Sequence, residues 1–158
     1  MIVVSDTTAI TNFYQVDLLK LMKTLFQEII IPQSVYDELA IIPKQKNVID
    51  NCSWIKIKKV KNKKMLAKLS IKLDSGEAEA IVLAKELKAD LIIIDEYLGR
   101  KVAKEQGLKI IGVLGILIIA KNNGNIAKIL PIVDELIQKA KFRVNPKLLN
   151  KILKKVGE

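Results

Sequence analysis

Four short runs, Ile2–Val4, Glu28–Ile31, Leu91–Ile94 and the weaker Lys109–Gly112, constrain the fold of this chain more than any other feature. Each is rich in β-branched residues, too short for a helix and nearly apolar throughout, which suits strands buried on both faces of a parallel sheet. Trp54–Val60 alternates Ile55 and Ile57 with Lys56 and Lys58, so it reads as an edge strand or a lead-in to one. Helical patterns separate the runs, over Thr8–Leu25, Pro32–Ile42, Asp74–Leu87 and Tyr97–Gln106. After Gly112 only helices follow: Val113–Asn122, Ala127–Lys141 and Pro146–Val156. Gly124 closes the first of these, and Pro146 opens the last at a position where proline is tolerated. The alternation predicts an α/β three-layer sandwich with a mostly parallel sheet, right-handed crossovers and a helical C-terminal tail. At 158 residues there is room for one large core. We expect one domain over 1–143, with a basic C-terminal helix over 144–158 packed on it or extending from it.

Composition then narrows the chemistry. There is no histidine and only one cysteine, Cys52. That removes Ser-His-Asp and Cys-His catalysis, histidine-ligated metals, thiolate zinc clusters and internal disulfides. Hydrolysis must therefore run on carboxylates, Lys, Tyr or a metal held by oxygen. The nucleotide-binding glycine motifs G-x-G-x-x-G and G-x-x-x-x-G-K-[ST] are missing. No apolar stretch approaches the roughly 20 residues a bilayer demands, and the N-terminus lacks a basic n-region, so the expected compartment is the cytoplasm.

The net charge of +10 is unevenly placed. Ile55–Leu73 holds eight Lys and no acid, and Lys139–Glu158 carries a net +6. The rest of the chain is thus left at −4. A polyanion such as RNA or DNA would be drawn to the two basic segments by counterion release. A merely lysine-rich, solvated surface would look the same.

Within the acidic remainder, four carboxylates stand in informative places. Asp6 and Asp95 each end a strand run, and in an open parallel sheet ligands collect beyond the strands' carboxyl ends. In Pro32–Ile42 the apolar stripe is Val35, Leu39 and Ile42; at about 100° per residue Glu38 flanks it, whereas Asp37 points away. Glu77 shares a helix face with Ala80, Ile81 and Ala84, the buried side of its helix. Asp74-x-x-Glu77 also resembles a capping box. Four converging acids could not all stay ionised without counter-charge, and Mg²⁺ or Mn²⁺ would resolve that conflict with oxygen ligands alone.

Five motifs in order carry a family resemblance: Val4-Ser5-Asp6-Thr7-Thr8, Ile31-Pro32-Gln33-Ser34-Val35-Tyr36-Asp37-Glu38-Leu39, Leu73-Asp74-Ser75-Gly76-Glu77-Ala78-Glu79-Ala80-Ile81, Asp90–Glu96 with Gly99-Arg100, and Gly112–Leu117. From Met1 to about Arg143 the chain resembles PIN domains, in particular the short VapC-like toxin branch beginning Val-Ser-Asp-Thr-Ser and carrying Gly-Glu-Ala-Glu-Ala-Ile. The resemblance implies a Mg²⁺- or Mn²⁺-dependent endoribonuclease. Its four acids fall by position on Asp6, Glu38, Glu77 and Asp95, with metal held by Asp6, Glu77 and Asp95 and Glu96 as a supporting acid. The family's hydroxyl beside the first acid falls on Thr7 or Thr8, and Arg100 would help hold RNA. A small antitoxin partner and a homodimer are likewise implied. The chain departs from many PIN domains in having Glu at the third acid and in lacking the Asp-x-Asp-Phe ending after Asp95.

Two rivals compete with the nuclease reading. A PIN-like module could bind RNA or protein without cutting. An aspartyl phosphatase would need a second Asp two residues after Asp6, where Thr8 stands.

Overall fold

A computed structural model describes residues 1–158. Five parallel strands form one sheet in the order β3-β2-β1-β4-β5, with β1 at Val3–Ser5, β2 at Ile29–Pro32, β3 at Ile55–Lys58, β4 at Leu91–Ile93 and β5 at Ile110–Ile111. Ten helices flank it: α1 (Thr7–Gln15), α2 (Leu19–Phe26), α3 (Gln33–Leu39), α4 (Pro43–Asp50), α5 (Lys63–Leu69), α6 (Ser75–Glu86), α7 (Tyr97–Glu105), α8 (Val113–Asn122), α9 (Leu130–Ala140) and α10 (Pro146–Lys155). This is the three-layer α/β/α sandwich the alternation predicts.

The layers follow from strand periodicity, since successive side chains leave a strand on opposite faces. Val3, Ile29, Ile31 and Ile93 enter the larger core with residues of α1, α2, α3, α8 and α9. Their neighbours Val4, Ile30, Ile92 and Ile94 enter the second core, beneath α5, α6 and α7. Because both faces are covered, the central strands need no polar alternation, which explains their continuous apolar runs. β3 is an edge strand: after Ile55 its residues are exposed, and all four of its positions belong to the Ile-Lys alternation that marked it.

Two expectations need correction, and two helices carry no pattern in the sequence. Thr8–Leu25 is two helices, because α1 ends in a left-handed Asp17 (φ 57°), with Leu18 N–H donating to the Phe13 carbonyl and Asp17 N–H to that of Tyr14. That closure is a Schellman turn built without glycine. The helices α4 and α5 lie in stretches too short and too polar to show an apolar stripe. Glu38, expected beside the core, is exposed.

At the C-terminal end, Ile129, Val133 and Leu136 of the α9 region are buried in the larger core, while Ile137 stays exposed. The last helix, α10, has no fully buried residue but lays Leu149, Ile152 and Leu153 against that core. Glu158 ties it down: its carboxylate accepts from Lys121 Nζ and Ile129 N–H at 2.7 Å each, and from Leu130 N–H at 3.2 Å. No helix is long and apolar enough to cross a membrane.

Candidate active site

The strand order reverses between β1 and β4, and the crevice beyond such neighbours is where open α/β sheets hold ligands. Register sets Ser5 opposite Ile93, and Asp6 N–H donates to the Ile93 carbonyl at 3.1 Å. Asp6 and Asp95 therefore leave the sheet side by side, one residue apart in level. α6 packs on β1, β2 and β4 and runs back against the strands, so its N-terminus, with Asp74 and Glu77, meets the same sheet edge. Packing of α3 on α6 delivers Glu38 to that edge.

The convergence can be measured at three glycines. The place a Gly76 side chain would occupy lies 3.4 Å from Glu38 Oε1, 3.5 Å from Thr7 Oγ1 and 3.6 Å from Asp74 Oδ1. The place of a Gly99 side chain lies 2.6 Å from Glu77 Oε2 and 2.7 Å from Ile94 Cδ1, so a larger residue there would push Glu77 or Ile94 aside. A side chain at Gly112 would collide with Asp95 Oδ1 and with Arg100. Asp95 is fixed from below, both its oxygens accepting from Val113 N–H at 3.2 Å at the start of α8, where the helix dipole favours an anion. Arg100 Nη1 donates to the Ile94 carbonyl at 2.9 Å, which sets the guanidinium beside Asp95.

Electrostatically this corner is unbalanced. Asp6 is 2 % exposed, and burial, then the Asp95 and Glu77 carboxylates, push its pKa well above the usual range. Glu77 is pushed up to about 7 by burial and then by the neighbouring Asp74. Asp95 is also raised, chiefly by burial, against the opposing help of Val113 N–H and Arg100. Of the four buried side-chain oxygens in the molecule without a hydrogen-bond partner, three lie here: Asp6 Oδ1, Thr7 Oγ1 and Glu77 Oε2. Buried polar atoms are seldom left so, and a cluster of them marks a place where another partner belongs.

The donor set is all hard oxygen, which fits Mg²⁺ or Mn²⁺. The spacing is not yet that of a cage, since no three acidic or cysteine side chains stand close enough together to enclose an ion. The chemistry of the donor set fits the ion.

The remaining candidates separate around this corner. Thr7 turns toward Glu38 and Asp74, whereas Thr8, with Asp95, Glu96 and Arg100, lines a neighbouring cleft. Glu96 is exposed and contributes by raising Glu77 and Asp95. Asp74 is the acid the four-carboxylate reading left out. It caps α6, accepting from Glu77 N–H at 2.9 Å, the first half of the capping box, while its charge also acts on Glu77 and Asp6. Its place three residues before Glu77 is the signal that marks it. The closely approached Gly99 and Gly112 carry no sequence signal of that role.

A family model described as PIN domain matches residues 2–158. No curated protein matches the chain.

Proposed function

Because the chain belongs to the PIN-domain family, a nuclease-type fold acting on RNA, we propose that it is a Mg²⁺- or Mn²⁺-dependent endoribonuclease with Asp6, Glu38, Glu77 and Asp95 as its acids. One observation carries this reading: three unpartnered buried oxygens lie among carboxylates whose burial, and then the charge of neighbouring acids, raises the pKa values of Asp6 and Glu77. Such a corner is costly in the protein alone and is relieved by positive charge.

In this proposal Asp6, Glu77 and Asp95 would hold the ion, which when bound would supply a more acidic water and neutralise charge building on the phosphate. Glu38, exposed beside Gly76, would serve as a general base toward a water at this edge. The Thr7 hydroxyl, lacking any acceptor, can donate to a phosphate oxygen. Arg100, anchored on the Ile94 carbonyl, places positive charge near Asp95 and lines the adjoining cleft, where it could meet a phosphate. Lysines of the 56–72 segment draw the RNA backbone by charge, a contact that positions without reading sequence. Asp6→Ala tests the assignment: Mn²⁺-dependent cleavage of RNA should vanish while the far-ultraviolet dichroism stays that of the wild type. Persistent cleavage would remove Asp6 from the mechanism.

A VapC-like toxin role, with a small antitoxin and a homodimer, is part of the same proposal. Its support is the motif order from Val4 to Leu117. A short open reading frame beside this gene whose product blocks cleavage would be the expected result.

A non-catalytic RNA- or protein-binding module is the second reading, favoured by the absence of three ligands at caging distance. Calorimetric Mn²⁺ titration separates the two. Nuclease chemistry requires saturable binding that Glu77→Ala weakens.

A further inference from the structure

The chain uses Lys at 25 of its 27 basic positions, and its only two arginines, Arg100 and Arg143, lie 43 residues apart in sequence yet line one cleft. The cleft measures about 820 Å³, within the span of ligand sites. It begins at Asp95 and Glu96, beside the acid corner, and runs between the β5–α8 edge and the strap 141–145 that joins α9 to α10. Arginine differs from lysine in ways that matter to a phosphate: it is planar, less strongly hydrated and able to donate two parallel hydrogen bonds.

Arg143 is held in place without being used. Its strap is pinned at one end by Phe142 N–H donating to the Leu136 carbonyl at 3.1 Å. At the other end Asn145 Oδ1 accepts from Lys147 N–H at 2.9 Å and caps α10. Between these pins Phe142 and Val144 turn toward the core, while Lys141 and Arg143 are exposed, and neither makes an ion pair or side-chain hydrogen bond. Phe142 and the half-exposed Leu148 give the cleft an apolar wall opposite Leu114.

We propose that this cleft is a substrate subsite for single-stranded RNA, in which Arg143 receives the phosphate next to the one being cut and the attached base lies along Phe142 and Leu148. The proposal rests on the nuclease reading for its direction, since a strand whose phosphate sits at Asp95 continues into the cleft. An unpaired base fits such a wall, whereas a duplex keeps its bases stacked inside. An acidic protein segment is the competing occupant, and the test separates it.

The test measures binding of a fluorescein-labelled, unstructured oligoribonucleotide to the full chain across a salt series, with divalent ions chelated so that no cleavage occurs. Arg143→Ala should weaken binding about tenfold at low salt and lower the slope of log Kd against log salt by about 0.7, the loss of one phosphate contact on a single strand. Arg143→Lys should restore the slope and only part of the affinity. With Mn²⁺ present, the alanine variant's loss should appear in KM rather than kcat. Unchanged affinity and slope in Arg143→Ala would overturn the subsite, even if Asp6-dependent cleavage stands. So would failure of the oligoribonucleotide to bind while poly-glutamate binds, because the cleft would then be a protein-docking surface. Arg143-dependent RNA binding without cleavage under any divalent ion would instead leave the subsite and remove the nuclease.

Discussion

Gly112 and Asp95 compete for one space: a methyl group on Gly112 would fall on Asp95 Oδ1, while the next residue's N–H holds both oxygens of that carboxylate at 3.2 Å. The carboxylate is thus positioned by a missing side chain as much as by a hydrogen bond. Gly112→Ala should leave the fold largely intact, because the clash meets a side chain rather than backbone. Displacing Asp95 by about 1 Å should cost cleavage about 100-fold. Paired measurements of Mn²⁺-dependent turnover and thermal melting check this; equal loss of both would mean the glycine serves folding alone.

Asp6 should illustrate a conflict between stability and activity. A carboxylate 2 % exposed and beset by Asp95 and Glu77 destabilises the metal-free protein. Asp6→Asn should therefore abolish cleavage and raise the metal-free Tm by about 2–4 °C for each kcal/mol of relieved repulsion. A lowered Tm would show that the charge is compensated within the protein.

Glu77 predicts the pH response of the metal-free chain. Its folded-state pKa, about 7, exceeds that of an ordinary glutamate, so between roughly pH 4.3 and 7 the folded form binds more protons than the unfolded form. Stability should fall as pH rises across that window. Partial exposure keeps the effect to about 1–2 kcal/mol, below the full value of the shift. Saturating Mn²⁺ should flatten or reverse the trend, and melts from pH 5 to 8 with and without the ion would show it. Glu77→Gln should reduce the dependence, leaving the part contributed by Asp6 and Asp95, whose pKa values are raised as well.

Glu158 predicts the opposite sign. Burial resists its charge, yet Ile129 N–H, Lys121 and Leu130 N–H together hold its pKa below the usual value. Its contribution is present above the unfolded pKa and is lost as pH falls through the folded one. Glu158→Gln should cost about 1 kcal/mol, comparable to losing a helix cap, because the side chain caps the start of α9 while anchoring the tail of α10. Hydrogen exchange should speed up in α10 before the sheet responds; uniform protection would refute the anchoring role.

Much of this was legible in the residues. Asp6 and Asp95 announce themselves because each closes an apolar strand run, and parallel sheets gather ligands there. Glu77 follows from its spacing to Ala80 and Ala84, since an acid on the apolar side of a helix needs a reason to be there. The division of Thr8–Leu25 was hidden because Asp17 adopts a left-handed conformation that glycine usually marks. Helix α5 was masked by Lys63, Lys64 and Lys68, which blur any stripe in seven residues. The meeting of Arg100 with Arg143, and of Gly112 with Asp95, depends on how α8 and the 141–145 strap return to the sheet, and no local pattern encodes that.

The central place of β1 has a consequence for synthesis. Strand β1 is paired on one side by β2 but waits on the other for the much later Leu91–Ile93, and the N–H that steadies Asp95 belongs to residue 113. A partly made chain can hold neither Asp6 beside Asp95 nor the latter in register, and such distant pairing is slow to close. Whatever reaction this corner performs therefore waits until Val113 has been made and α8 has folded back beneath Asp95.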